Sequence, residues 1–267
     1  MKNWTETSAG TIKGAEQRLW VALGDNAEEV ATRINTDPVF VTNITDYIVF
    51  QAGMQDKRMT SLNPQWLCAR RIMGKNFFGI EEVIKHFGVN PSKQQLATLA
   101  EIRTPKGRLI SEEEMHECKD THVLVAMFPL SILDIRGIAK KQSDRTLFYS
   151  QDWYDKQAFA KDKGEVGWQL VRKEPIANST SKTWNDQQAL LSKDEETPTA
   201  RIVVYTMVGH FLATGERLFE KIYVRCVDLD SDGGRVSVGD FGAKGLYVDD
   251  YWSDRPNSDI GLSAARK

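Results

Sequence analysis

The chain of 267 residues carries 35 basic and 37 acidic side chains, which leaves a formal net charge of −2. This near balance argues against a nucleic-acid partner, because proteins that bind nucleic acids are usually basic as a whole. With 41% apolar and 9% aromatic residues the sequence is too hydrophobic for a disordered chain, and 19 Gly and 8 Pro exclude collagen-like and low-complexity classes.

The sequence shows no segment typical of export or membrane insertion. Residues 1–16 are polar and lack the apolar core of a signal peptide. The longest apolar stretches, Val123–Leu133 and Ile202–Ala213, are shorter than the roughly 20 residues needed to cross a bilayer. We therefore predict a soluble protein without a membrane partner, cytoplasmic by default.

The first 117 residues are predicted to form a mainly helical N-terminal portion. Apolar residues recur at helical spacing across Ala15–Asn35, and Asn63-Pro64 is typical of a helix start. An amphipathic helix over Ile80–Phe87 is ended by Gly88.

From residue 118 onward the apolar residues no longer follow helical spacing alone. Val123–Ile135 is an apolar run broken by Pro129, which suits a buried strand. Thr197-Pro198 opens the strongest helix signal, Ala200–Phe219, with its apolar residues on one side.

The C-terminal segment is predicted to be β-structure. Short apolar or alternating runs are separated by turns rich in Asp, Gly and Ser. The predicted strands are Ile222–Val227, Arg235–Val238, Gly245–Tyr251 and a last strand over Ile260–Arg266. This order of elements predicts an α+β protein with a mostly antiparallel C-terminal sheet.

The sharpest local motif is Asp228-Leu-Asp230-Ser-Asp232-Gly233, which resembles the opening of a calcium-binding EF-hand loop. The match fails at Gly239, where that loop needs a bidentate Glu. A hairpin turn accounts for the same residues, because Asp, Ser and Gly are favoured in turns. Calcium held by the three carboxylates, as in a calcium-dependent carbohydrate-binding lectin, therefore stays an alternative to a protein without a cofactor.

No catalytic signature of the common nucleotide-binding, hydrolase or metalloprotease types is present, so we predict that the protein is not an enzyme. A small enzyme remains the second alternative. It would require a deep pocket lined by convergent carboxylates or cysteines.

The use of acidic residues is uneven along the chain. Residues 1–227 hold 12 Asp and 17 Glu, whereas residues 228–267 hold 8 Asp and no Glu, Gln or Met. A turn-rich β region explains part of this bias, because Asp can hydrogen-bond to nearby backbone. The other explanation is codon usage, since Asn, Asp, Tyr and His share the codon form NAY, and Ser, Gly, Arg and Pro arise from AAY by changing both adenines, whereas Glu, Gln and Met cannot arise in this way.

The segment Arg225–Lys267 resembles the variable region of proteins diversified by diversity-generating retroelements, which have a C-type lectin fold of the formylglycine-generating-enzyme type. The closing Ile260-Gly261-Leu262-x-x-Ala265-Arg266 is similar to the final strand of that fold. The resemblance covers roughly residues 118–267. It implies a C-type-lectin-like domain over those residues, with a variable region at about 225–267.

The resemblance implies a ligand-binding protein whose surface residues are varied by retroelement-driven adenine mutagenesis. By position, the variable binding residues are Ser237, Asp240, Tyr247, Asp249, Asp250, Tyr251, Ser253, Pro256, Asn257, Ser258 and Asp259. The fixed scaffold comprises Val236, Val238, Trp252, Ile260 and Gly261. The partner would be a protein or glycan that the sequence does not identify, and the oligomeric state stays open. Virion or cell-surface association, as in known members, is the alternative to a cytoplasmic location.

The formylglycine-generating enzymes oxidise their substrate with a pair of active-site cysteines. Here the lectin-like segment holds only Cys226 and, at its edge, Cys118. This departure argues against oxidase chemistry.

Overall fold

The computed structural model describes residues 17–38, 40–41, 63–142 and 147–267. Predictions that concern residues 1–16, including the lack of a signal peptide, lie outside the described residues. The chain divides into two compact units, Met1–Leu62 and Asn63–Lys267. None of the described helices has both the length and the apolar character that crossing a membrane requires.

The described part of the N-terminal unit is helical. Residues 17–23 are helical, a 3-10 turn follows at Gly24–Asn26, and a second helix spans Ala27–Thr36. The helix predicted over Ala15–Asn35 is thus confirmed in its described residues, with an interruption at the 3-10 turn. Ala27–Thr36 buries none of its residues.

The C-terminal unit mixes helices with short strands, which confirms the α+β class. Its described helices are α1 (Pro64–Met73), α2 (Ile80–Phe87), α3 (Lys93–Thr98), α4 (Glu112–Cys118), α5 (Ile132–Gln142), α6 (Ala158–Lys161), α7 (Trp184–Gln188) and α8 (Ala200–Thr214). Its described strands are β1 (Phe77–Phe78), β2 (His122–Met127), β3 (Gly167–Arg172), β4 (Glu195–Glu196), β5 (Tyr223–Leu229), β6 (Arg235–Gly242), β7 (Gly245–Tyr251), β8 (Ile260–Leu262) and β9 (Ala265–Arg266).

The strands form two sheets. The first sheet has the order β1-β2-β3-β9-β4, and the second has the order β7-β6-β5-β8. The second sheet is mixed rather than wholly antiparallel, because β8 pairs parallel with β5 while β5, β6 and β7 pair antiparallel. The single strand predicted over Ile260–Arg266 is in fact β8 in one sheet and β9 in the other.

Helix α8 contacts strands of both sheets. Its residues are therefore buried around almost the whole helix from Ala200 to Phe211, rather than on the one side predicted. The predicted end at Phe219 is also wrong. The helix ends at Thr214 because Gly215 adopts a left-handed conformation, with φ of 77°, and its N–H caps the carbonyl of Phe211 at 2.8 Å.

The described segment from residue 63 to 117 belongs to the same compact unit as residues 118–267. Strand β1 pairs parallel with β2 in the first sheet. The indole N–H groups of Trp66 and Trp168 both donate to the carbonyl of Leu99, at 2.8 and 3.0 Å. The helices before residue 118 thus contribute to the core around the first sheet.

The apolar run Val123–Ile135 is not one strand. Strand β2 ends at Met127, and α5 begins at Ile132. Ser131 starts the helix, because its hydroxyl accepts the N–H of Asp134 at 3.1 Å and its own N–H donates to the Asp134 carboxylate at 3.0 Å.

Candidate functional site

The second sheet has a buried face and an outer face. Val224, Val236, Val238 and Val248 are fully buried and belong to the hydrophobic core. Because side chains alternate along a strand, the residues between them lie on the outer face. These are Tyr223, Arg225, Arg235, Ser237, Gly239, Tyr247, Asp249 and Tyr251, and cross-strand pairing aligns them in rows.

The connection between β7 and β8 crosses the outer face of this sheet. Strands β5, β7 and β8 all point the same way, because β7 and β5 are each antiparallel to β6 and β8 is parallel to β5. The chain must therefore return along the length of the sheet between Tyr251 and Ile260. We call residues 252–259 the crossover loop.

The buried side chain of Arg225 holds the crossover loop in place. Its Nη2 donates to the carbonyl oxygens of Trp252, at 3.2 Å, and Arg255, at 2.7 Å. Its Nη1 donates at 3.0 Å to the carbonyl of Lys182 and to the side-chain oxygen of Gln187. Burial lowers the pKa of Arg225, and an arginine stays charged at neutral pH all the same. A fully buried cation is thus stabilised by neutral oxygen acceptors.

Further main-chain hydrogen bonds fasten the same loop. Ser181 and Trp184 donate their N–H groups to the carbonyls of Asn257 and Ser253, each at 2.8 Å. Tyr223 donates its N–H to the carbonyl of Asp259 at 2.9 Å. In all of these contacts the loop contributes carbonyl oxygens, so its path depends little on its own side chains.

Ten of the eleven predicted binding residues are exposed or half-buried. Asp249, Asp250, Pro256, Ser258 and Asp259 are exposed. The half-buried ones are Asp240, Tyr247, Tyr251, Ser253 and Asn257.

Ser237 is the exception among the predicted binding residues, since only 1% of it is exposed. It lies on the outer face, as alternation predicts, and pairs with Arg225. That part of the face is covered, because Arg225 extends from it to the crossover loop and to α7. Ser237 is therefore not available to a ligand.

The predicted scaffold residues are buried with one exception. Val236, Val238 and Ile260 are buried. At Gly261 a Cβ atom would lie 2.7 Å from the side chain of Pro175, so the position has no room for a side chain. Trp252, which the resemblance places in the scaffold, is 48% exposed because it lies in the crossover loop.

The three aspartates of the predicted calcium site do not converge. The carboxylate of Asp228 accepts the N–H of Ala200 at 2.6 Å and so lies at the start of α8. The carboxylate of Asp230 accepts the N–H groups of Asp232 and Gly234, each at 2.8 Å, as in a turn. The described residues contain no group of three or more His, Cys, Asp or Glu side chains that could hold a metal ion.

The second sheet, the crossover loop and α7 together form one surface. This surface is covered around Arg225 and open around Tyr223, Tyr247 and Asp249.

No family model, curated protein or solved structure matches this chain.

The acidic residues of this surface form no ion pair with any residue that the structure describes. In the described part of the chain, none of the aspartates between positions 228 and 259 forms an ion pair. Burial, followed by the nearby carboxylates of Asp230 and Asp249, raises the pKa of Asp250. Arg235 is engaged elsewhere, with its guanidinium carbon 3.9 Å from the ring centre of Trp184. The exposed Asp249, Asp254 and Asp259 outnumber Arg255, the exposed cation of the crossover loop, so the surface carries net negative charge.

Two tyrosines outside the predicted set also belong to the surface. The ring of Tyr149 stacks on that of Tyr247 with centres 4.0 Å apart and planes 18° apart, and Tyr223 approaches Tyr247 edge-on at 6.4 Å. Strand alternation could have identified Tyr223, which precedes the buried Val224. Tyr149 has no such signal, because it reaches β7 through tertiary contacts, donating its N–H to the carbonyl of Leu246 at 2.9 Å.

The cysteines are not arranged as a redox pair. Cys118 and Cys226 are both buried and both free. Burial raises the pKa of each thiol, which favours the unreactive protonated form.

Proposed function

We propose that this protein binds a protein or glycan ligand through its C-terminal surface, and that retroelement-driven adenine mutagenesis diversifies the residues there. The C-terminal surface comprises the crossover loop and the open part of the outer face. One observation carries the proposal: the loop is fastened through its main-chain carbonyls, while most of its side chains are exposed.

Such an arrangement tolerates variation. Every residue type, proline included, has a carbonyl oxygen, so a substitution in the loop leaves each of these acceptors in place. Asn257 is a partial exception, because its side chain also accepts the N–H of Asp259 at 2.8 Å. The donors, above all Arg225, lie outside the loop. A binding surface of this kind can change its side chains without changing its backbone.

The chemical character of the surface supports the same function. Its exposed and half-buried positions in the predicted set carry Asp, Asn, Tyr, Ser and Pro, which AAY codons and their adenine mutants encode; exposed Trp252 lies outside that set. Tyr, Ser and Asn are also prominent in antibody paratopes, where they combine contact area with adaptable hydrogen bonding. The α+β architecture is compatible with the C-type-lectin-like domain that the resemblance implies.

Two matched display libraries test this proposal. The first randomises five exposed or half-buried positions of the surface: Asp249, Ser253, Pro256, Ser258 and Asp259. The second randomises five buried positions of the same sheet: Val236, Val238, Leu246, Val248 and Ile260. Resistance to proteolysis measures the fraction of folded members, and selection on an arbitrary protein target measures binding.

We expect most of the first library to stay folded and to yield binders that share the wild-type scaffold. Most of the second library should unfold, because each position is in the core and substitutions there typically cost about 2–5 kcal/mol. Equal folded fractions in the two libraries, or a folded first library that yields no binder, would count against the proposal.

A further inference from the structure

We infer that the open part of the outer face binds a basic segment of a protein partner, with an arginine side chain against the tyrosine rings and the adjacent carboxylates. We call this area the acidic tyrosine patch; it consists of Tyr149, Tyr223, Tyr247, Asp240 and Asp249. The inference rests on the proposed function, because it names the partner chemistry of the same surface.

The row Tyr223, Gly239, Tyr247 explains why aromatic rings are accessible here. These three residues pair across β5, β6 and β7 on the outer face. Gly239 has no side chain, and a Cβ atom there would lie 2.1 Å from the carbonyl oxygen of Ile222. The rings of the two tyrosines therefore approach each other across a position without a side chain, with centres 6.4 Å apart, and Tyr149 extends the aromatic area beyond the edge of β7.

The carboxylates of Asp240 and Asp249 border these rings. Asp249 follows Tyr247 by two residues on the same face of β7, and Asp240 directly follows Gly239. Burial, followed by the negative charges of Asp240 and Asp249, raises the pKa of Tyr223. Neither carboxylate forms an ion pair within the described part of the chain.

Charge complementarity favours a cationic ligand for this combination of groups. An aromatic ring attracts a cation over its face, and a carboxylate adjacent to the ring adds direct attraction. Arginine suits the patch better than lysine, because the planar guanidinium stacks on aromatic rings and binds carboxylates with two parallel hydrogen bonds. The arginines of this surface do not fill the role: Arg225 binds the crossover loop, Arg235 packs on Trp184, and exposed Arg255 forms no ion pair with a described carboxylate.

The test measures binding of a fluorescein-labelled peptide of alternating arginine and glycine by fluorescence anisotropy, with glutamate replacing arginine in the control peptide. We expect the arginine peptide to bind the wild-type chain and the glutamate peptide not to bind. The double variant Asp240→Asn/Asp249→Asn should bind the arginine peptide with an affinity about ten-fold or more lower than that of the wild-type chain. Asn suits position 240, whose φ is 45°, because Asn tolerates this left-handed conformation.

A matched double variant separates a local effect from overall charge. Asp120→Asn/Asp194→Asn removes the same charge from two exposed positions outside the patch and should leave the affinity unchanged. Near-ultraviolet circular dichroism confirms that both double variants are folded. Equal affinity of wild type and Asp240→Asn/Asp249→Asn would overturn the inference, and so would an equal loss in the two double variants.

A display selection of random peptides on the wild-type chain distinguishes this inference from the proposed function. Enrichment of arginine-rich peptides whose binding is lost in Asp240→Asn/Asp249→Asn would support both the basic partner and the proposed ligand-binding function. Enriched neutral or acidic sequences whose binding is lost in Tyr247→Ala would overturn the basic partner while the ligand-binding surface stands.

Discussion

The guanidinium of Arg225 donates a hydrogen bond of 2.7 Å to the main-chain carbonyl of Arg255 in the crossover loop. One arginine thus provides a buried donor and the other an acceptor that any residue could supply. This relationship separates the part of the sequence that must be kept from the part that can vary.

Replacement of Arg225 should loosen the crossover loop. Arg225→Met removes every hydrogen bond of this guanidinium and leaves the carbonyls of Lys182, Trp252 and Arg255 without it. Because unsatisfied buried polar groups are costly, the free energy of unfolding should fall by about 3 kcal/mol. Hydrogen exchange should become faster in residues 252–259.

Arg255→Met is the matched control, because only the main chain of Arg255 contacts Arg225. Its side chain is exposed, so the variant should change stability by no more than about 0.5 kcal/mol. Similar stability and similar exchange in the two variants would show that the guanidinium does not hold the loop.

The glycine between the two tyrosines should be indispensable. In Gly239→Ala the new Cβ would lie 2.1 Å from the carbonyl oxygen of Ile222 and 2.6 Å from the Cα of Tyr223, both main-chain atoms. Strand β5 would have to move, and we expect a loss of about 3 kcal/mol or more, measured by urea unfolding. At Gly242 the nearest atom would be 4.0 Å away, so Gly242→Ala should be tolerated. A Gly239→Ala protein as stable as Gly242→Ala would contradict the packing described.

Glu216 should contribute stability that depends on pH. Its carboxylate accepts hydrogen bonds from Lys173, at 2.8 Å, and Lys75, at 2.7 Å. These bonds lower the pKa of Glu216 from its ordinary value of 4.5 to about 2. Because the folded-state pKa is depressed, the contribution is complete above pH 4.5 and is lost as the pH falls through about 2.

Glu216→Gln should therefore lower the free energy of unfolding near neutral pH, by about 1 kcal/mol after solvent screening of this partly exposed group is allowed for. The difference in the free energy of unfolding between Glu216→Gln and wild type, measured by urea unfolding, should disappear near pH 2. Glu220→Gln, at an exposed residue without an ion pair in the described part, is the control. A difference that persists at low pH, or an equal loss in the control, would contradict the assignment.

The sequence predicts the elements whose signals are local. Alternation of apolar residues predicts the strand Gly245–Tyr251, and β7 has those bounds. The helix start at Ala200 is likewise confirmed, because Thr199 accepts the N–H of Ile202 as a cap. The α5 helix over Ile132–Gln142 is missed, since a short apolar run does not distinguish a strand from a buried helix.

The candidate site depends on long-range packing and is predicted only in part. The exposure of Asp249 and Ser258 follows from strand alternation and turn composition. The burial of Ser237 does not, because it depends on the crossover loop, whose path is set by the parallel pairing of β5 with β8. The stacking of Tyr149 on Tyr247 joins segments that are far apart in sequence, which no local pattern reveals.

Sequencing the DNA beside the segment that encodes Arg225–Lys267 tests the central claim most directly. We predict a near-copy of that segment beside a reverse-transcriptase gene. The two copies should differ only at adenines of the template, in codons for exposed residues such as Asp249, Ser258 and Asp259. The codons for Val236 and Val238 should be identical. A locus without such a repeat, or differences spread equally over the codons of buried residues, would contradict the account.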